Sequence, residues 1–217
     1  MRPLNFGDLL FLGKAALWTG ALFLVSLVGG AAIGLLLALM RTSKWGVLRF
    51  AALCYFRVIQ GTPLLMQIFL VFFGTALMGY ELGALLSAGL ALSINAGAFL
   101  GETWASSIEA VNKGQAEAAR VLGLRYSTTM WRIIMPQAMR IATPPTVGFL
   151  VQMVKGTAMA SFVGFVELSR AGQMINNATF RPFVIFGGVS LLYFSICWPL
   201  SLLSSHLERR LAKAYSR

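Results

Sequence analysis

Residues 15–40 read AALWTGALFLVSLVGGAAIGLLLALM, an unbroken stretch without one charged side chain. A helix rising 1.5 Å per residue needs roughly 20 apolar residues to cross the hydrocarbon of a bilayer, and this run exceeds that length. It has no small-residue cleavage site after a short apolar core, so it is expected to persist as a span and not to be removed as a signal peptide. Comparable runs follow at Val58–Tyr80, at Leu82–Gly101, at Ile141–Val154 continued by Gly156–Val166, and at Pro182–Leu207. The expected fold is an all-α membrane protein of about five transmembrane helices, forming a single transmembrane domain over residues 1–217.

Composition agrees. Hydrophobic residues make up 58% of the chain and charged residues 12%, a balance that leaves a soluble domain of this size too little polar surface to cover itself. The net charge of +11 does not point to nucleic acid, because the basic residues flank the apolar runs instead of gathering on one face. They act as topology signals. With the N-terminus outside, the inner segments hold Arg41, Lys44, Arg49 and Arg57, then Lys113, Arg120, Arg125, Arg132 and Arg140, then Arg209, Arg210, Lys213 and Arg217. The outer segments hold only Arg2, Lys14, Arg170 and Arg181, so the positive-inside rule places the N-terminus outside and the C-terminus in the cytoplasm. Cys54 and Cys197 stand alone in apolar sequence and make neither a metal-ligand spacing nor a redox pair.

The longest polar interruption is residues 113–136, KGQAEAARVLGLRYSTTMWRIIMP. Its alanines and polar residues predict a short helix ending at Gly123, a turn, and a second helix from Tyr126 to Met135 that stops at Pro136, which lacks the N–H that continuation requires. Ala116, Ala118 and Ala119 give a low-relief surface, and Glu117 and Arg120 supply charges that can pair across a protein contact. The same residues suit an amphipathic hairpin lying on anionic headgroups, with Arg125, Arg132 and Arg140 facing the lipid. Physics alone leaves the two readings balanced.

Glu117-Ala118-Ala119, Gly123 four positions later, Ile133 and Pro136 resemble the EAA loop of permease subunits in binding-protein-dependent ABC importers, with Met135 in place of the usual leucine. The resemblance narrows to the polar amino acid branch through Gly61-Thr62-Pro63-Leu64-Leu65-Met66-Gln67, Lys113-Gly114-Gln115, Pro136-Gln137-Ala138, Glu167-Leu168, Pro199-Leu200-Ser201 and Glu208-Arg209-Arg210-Leu211. It implies a MetI-like ABC importer permease architecture, with residues 113–136 as a cytoplasmic coupling loop seated on an ATPase subunit. Glu117, Ala118, Ala119, Arg120, Gly123 and Pro136 would be the coupling residues. The implied partners are cytoplasmic ABC ATPases, a second permease copy or paralogue, an extracytoplasmic amino-acid-binding protein and membrane lipid, with no nucleic acid. The implied location is a bacterial cytoplasmic (inner) membrane.

No lysine is followed by serine or threonine in a G-x-x-x-x-G-K-[ST] loop, and neither H-E-x-x-H nor G-x-S-x-G occurs. The expectation is therefore no catalytic residue, no metal site and no cofactor in this chain, with ATP and Mg bound by the partner ATPase.

Lys155 is the most informative intramembrane charge, because lysine at the centre of a span costs about 2.5–3.5 kcal/mol on insertion scales unless it faces water or a partner. It is expected to face the interior. With Gln152, Thr157 and Ser161 it can line a polar patch for a substrate carboxylate, or it can pair with helix-end carbonyls in a structural role. Gln67 and Asn95 are further polar residues within spans, open to substrate contact but better suited to interhelical hydrogen bonds. Lys155-Gly156-Thr157-Ala158-Met159 resembles the family's KDTSL segment without its aspartate and serine, and Gly148 replaces a frequent asparagine. Gly30-xxx-Gly34 and Gly97-xxx-Gly101 suit close intrachain packing of helices. The function implied is ATP-driven import of polar amino acids by alternating access. The rival is an ion-gradient-driven secondary transporter, for which no internal repeat or intramembrane aspartate speaks.

Overall fold

A computed structural model describes residues 2–215, with side chains described through Leu211. Lys213 and Arg217, two of the basic residues assigned to the inner side, fall outside the described side chains. The described residues are helical with no strand: α1 (Phe6–Arg41), α2 (Gly46–Gln60), α3 (Leu64–Leu77), α4 (Ala84–Glu109), α5 (Lys113–Val121), α6 (Tyr126–Thr129), α7 (Met135–Gly156), α8 (Leu168–Thr179) and α9 (Pro182–Tyr215). A π-helical turn, Met130–Ile134, joins α6 to α7, and a 3-10 segment, Thr157–Val163, extends α7.

Four helical stretches are long and apolar enough to cross a membrane: α1, α4, the continuous helix from Tyr126 to Val163, and α9. α2 and α3, whose axes turn by 100°, are long and apolar enough for a fifth only when taken together as one broken span. The Val58–Tyr80 run is therefore not one straight span. Pro63 has no N–H and holds Thr62 out of the helical region, so the helix ends at Gln60 and restarts at Leu64.

α1 begins at a capping box in which Asn5 and Asp8 satisfy each other's backbone N–H groups, and Arg2 forks onto the Asp8 carboxylate at 2.6 and 2.8 Å. From there α1 runs parallel to α4 in the largest helix contact of the molecule. A side chain added at Gly30 would meet the Ala96 methyl at 2.5 Å, and one at Gly34 would meet the backbone N of Gly101 at 3.0 Å. The two glycine pairs thus face one another within the chain and let the backbones touch. At the far end Arg41 forks onto Glu109 at 2.5 and 3.3 Å.

α7 lies antiparallel to α4, with Phe99 stacked on Phe149 and Trp104 donating to Thr146 Oγ1 at 3.1 Å. α9 packs on α7 and is pinned where Ser204 donates to the Pro144 carbonyl at 3.1 Å. At the opposite end the chain between α7 and α9 folds back as α8. Its cap, Glu167, is fully buried and accepts from the N–H groups of Ser169 and Arg170 and from the Tyr193 hydroxyl at 2.7 Å. Burial is the largest influence on this carboxyl and pushes it above the usual carboxylate range, while its donors pull the other way. The result is a bundle with one strongly basic end, carrying Arg41, Lys44, Arg49, Lys113, Arg120 and Arg125, and α8 across the other.

Candidate functional site

At the basic end α5 stands off the bundle. Asn112 caps it by accepting from Gly114 N–H at 2.8 Å. It ends in a Schellman arrangement, with Gly123 N–H donating to Arg120 and Leu124 N–H to Ala119. Gly123 has φ +70°, a conformation that costs a residue with a Cβ, so the helix stops where the sequence predicts. Ala119 is the buried residue of α5, and the helix packs on the π turn below it. Glu117, Ala118 and Arg120 are exposed. Among the described residues the ion pairs are Arg2–Asp8 and Arg41–Glu109, so the Glu117 carboxylate has no internal partner.

Beyond Arg120 the surface turns apolar: Val121 is 88% exposed and Leu122 75%. These two residues were missed in the sequence reading, although their position between Arg120 and the Gly123 turn marks them as the tip of the helix. A cleft of about 670 Å³ opens beside them, lined by Arg49, Glu109, Lys113, Glu117 and Arg120. α5 thus presents unpaired charges and low-relief alanine beside an exposed aliphatic tip.

Pro136 does not end the second helix. The helix runs from Tyr126 to Val163 without a break, because the π turn shifts the hydrogen-bond ladder and Met135 N–H reaches Met130 O. Gln137 Nε2 then donates to the Ile133 carbonyl at 2.9 Å. The register change accommodates the missing proline donor, so α5 rests on the first turns of a rod that continues through the bundle.

The polar residues assigned to a substrate path do not form one group. Gln67 is buried and occupied: its Nε2 donates to the carbonyls of Ile59 at 2.7 Å and Thr62 at 3.1 Å, closing the α2–α3 bend, and its Oε1 accepts from Asn95. Thr157 and Ser161 are buried, with hydroxyls donating to Val154 O at 2.6 Å and Ala158 O at 2.7 Å. Lys155 does not face the chain's interior; it is exposed on the side of α7, as is Gln152. Residues 155 and 157 lie two positions apart on a helix, about 200° around its axis, and cannot share a face. Asn95 and Gln152 do meet, in a cavity of about 240 Å³ with Gln60, Phe99, Phe149 and Gly156. Gln60 also donates to Glu102 at 2.6 Å, which holds that carboxylate beside the bend.

A bundle of this topology, with a standing polar helix at its basic end, is a polytopic membrane protein. The chain belongs to the family of binding-protein-dependent transport system inner membrane components, whose model matches residues 30–215. It is 35% identical to the probable amino-acid ABC transporter permease protein YckA of Bacillus subtilis, over 87% of this chain and 83% of that protein. It is 32% identical to the glutamine transport system permease protein GlnP of Escherichia coli, over 91% and 90% respectively. A solved amino acid ABC transporter with histidines superposes with a TM-score of 0.86 at 31% identity, covering 96% of this chain and all of that one. The MetNI methionine ABC transporter shares the fold, with a TM-score of 0.77 at 16% identity over 95% of this chain and 99% of that one.

Proposed function

We propose that this chain is the translocation subunit of an ATP-driven importer of polar amino acids in a bacterial inner membrane, with its N-terminus outside and its C-terminus in the cytoplasm. The observation that carries the reading is α5, a capped helix with an unpaired Glu117 and an exposed Val121–Leu122 tip at the basic end. A separate ATPase holds ATP and Mg and grips residues 113–136. This chain's part is mechanical. Motion of α5 passes through Ala119 to the π turn and along the continuous helix to Gly156, tilting the wall that carries Gln152 and Lys155.

Lys155 supports the use of two permease chains. An exposed ammonium partway along a spanning helix is costly against lipid and is relieved by a water-filled path or a facing subunit. A second copy or paralogue would place Lys155, Gln152 and Asn95 beside a shared path, to which an external binding protein delivers its amino acid. Thr157, Ser161 and Gln67 are spent on internal hydrogen bonds and serve the scaffold.

Uptake into proteoliposomes decides between this and an ion-gradient transporter. Uptake is expected to require the ATPase, ATP and binding protein, and to be insensitive to dissipating proton and sodium gradients. Glu117→Arg and Gly123→Pro should insert normally but lower uptake by at least about tenfold, a loss of some 1.4 kcal/mol in coupling. Gradient-driven uptake by the chain alone would overturn the proposal.

A further inference from the structure

Where α7 and α9 cross near the basic end, Arg140 and Arg210 line one cleft of about 240 Å³ floored by Pro144, Leu207 and Leu211. Both arginines are exposed, and neither is in an ion pair among the described residues. The neighbouring carboxylate, Glu208, accepts from Ser204 at 3.3 Å. The cleft is therefore a cationic pair above an apolar floor, set where two spanning helices leave the hydrocarbon.

On the other side of α7 lies a groove of about 400 Å³ between α1, α4 and α7. Leu39, Trp104, Trp131, Met139 and Ala142 line it, and its surface is almost wholly apolar. Thr143 lines both spaces, so they adjoin; its hydroxyl already donates to the Met139 carbonyl at 2.6 Å. A groove of this kind in a bilayer must hold hydrocarbon, because a void forfeits packing contacts and water finds no partners there.

We propose that the two spaces form one binding site for an anionic phospholipid, its phosphate held by Arg140 and Arg210 and one acyl chain laid over Thr143 into the groove. Charge complementarity selects the occupant. The guanidinium fork matches phosphate geometry, basic pockets between spanning helices favour anionic headgroups, and an acyl chain meets the adjoining apolar lining. A zwitterionic lipid offers the chain but brings a cationic group to the arginines. Free phosphate offers the charge and leaves the groove unfilled.

The test is native mass spectrometry of the full chain released from vesicles of equal parts phosphatidylglycerol and phosphatidylcholine. One phosphatidylglycerol retained per chain is expected, with little phosphatidylcholine. Arg140→Gln with Arg210→Gln should lower that retention roughly tenfold or more. Arg140→Lys with Arg210→Lys should preserve most of it, Arg181→Gln at the opposite end of α9 should leave it unchanged, and Ala142→Trp should reduce it by filling the groove. Monodisperse elution of each variant checks folding, and the lysine pair keeps the test decisive if the glutamine pair misfolds. Equal retention of the two lipids, or equal retention in the glutamine variant, would overturn the site. So would displacement by millimolar inorganic phosphate, or a glutamine variant that loses a second copy of the chain while keeping its lipid.

Discussion

Gln67 holds the α2–α3 bend together. A turn of 100° between α2 and α3 frees carbonyl groups from the helical ladder, and Gln67 Nε2 takes both Ile59 O and Thr62 O while Asn95 holds its other end. Gln67→Leu removes the partner of Thr62 O and one of the donors to Ile59 O, which keeps the Thr62 hydroxyl at 3.2 Å, at a cost of about 1–3 kcal/mol. A clear fall in the melting temperature of the detergent-solubilised protein is expected, with amino acid selectivity unchanged in whatever uptake survives. Changed selectivity at unchanged stability would return Gln67 to the substrate path. Lys155→Met tests the reverse case: uptake should slow severalfold or change selectivity, with thermal stability unchanged or raised, because a costly exposed charge has been removed. Unaltered transport kinetics would make Lys155 silent.

Among the elements, the α1–α4 pair sets how closely the bundle closes. At Gly34 an added side chain meets backbone atoms of Gly97 and Gly101, which cannot swing aside, whereas at Gly20 it meets nothing within 4 Å. Gly34→Leu is therefore expected to cost several kcal/mol and abolish the folded peak in size-exclusion chromatography, while Gly20→Leu elutes as the wild type. This packing was legible in the sequence, though weakly in helices rich in glycine, because glycines at one-turn spacing strip the bulk from one helix face. The end of α5 was legible at Gly123 for the same local reason. Pro136 was misread because the rule that proline stops a helix assumes an α-helical ladder, and the π turn before it changes the register. The polar patch of Gln152, Lys155, Thr157 and Ser161 was misread because those residues were grouped by nearness along the chain, when the helical period sets Gln152 and Lys155 on an exposed face and Thr157 and Ser161 on a buried one. α8 lay hidden in a short connecting segment whose helix depends on Glu167, buried by tertiary contacts that local sequence does not reveal.

For the whole molecule, the fold divides the labour between its ends. The rod from Tyr126 to Val163 joins the exposed α5 to the wall that bears Gln152 and Lys155, and the proposed coupling runs along it. The central claim is that α5 meets an ATPase and not lipid. A photo-crosslinking residue placed at Val121, the most exposed aliphatic position of that helix, tests it in cells co-expressing the permease and its ATPase. An adduct whose mass is that of the two proteins together is expected at Val121 and is expected to be absent when the same residue replaces Phe183, which is 94% exposed on α9. An adduct with lipid alone at Val121, or an ATPase adduct of equal yield at Phe183, would contradict the claim.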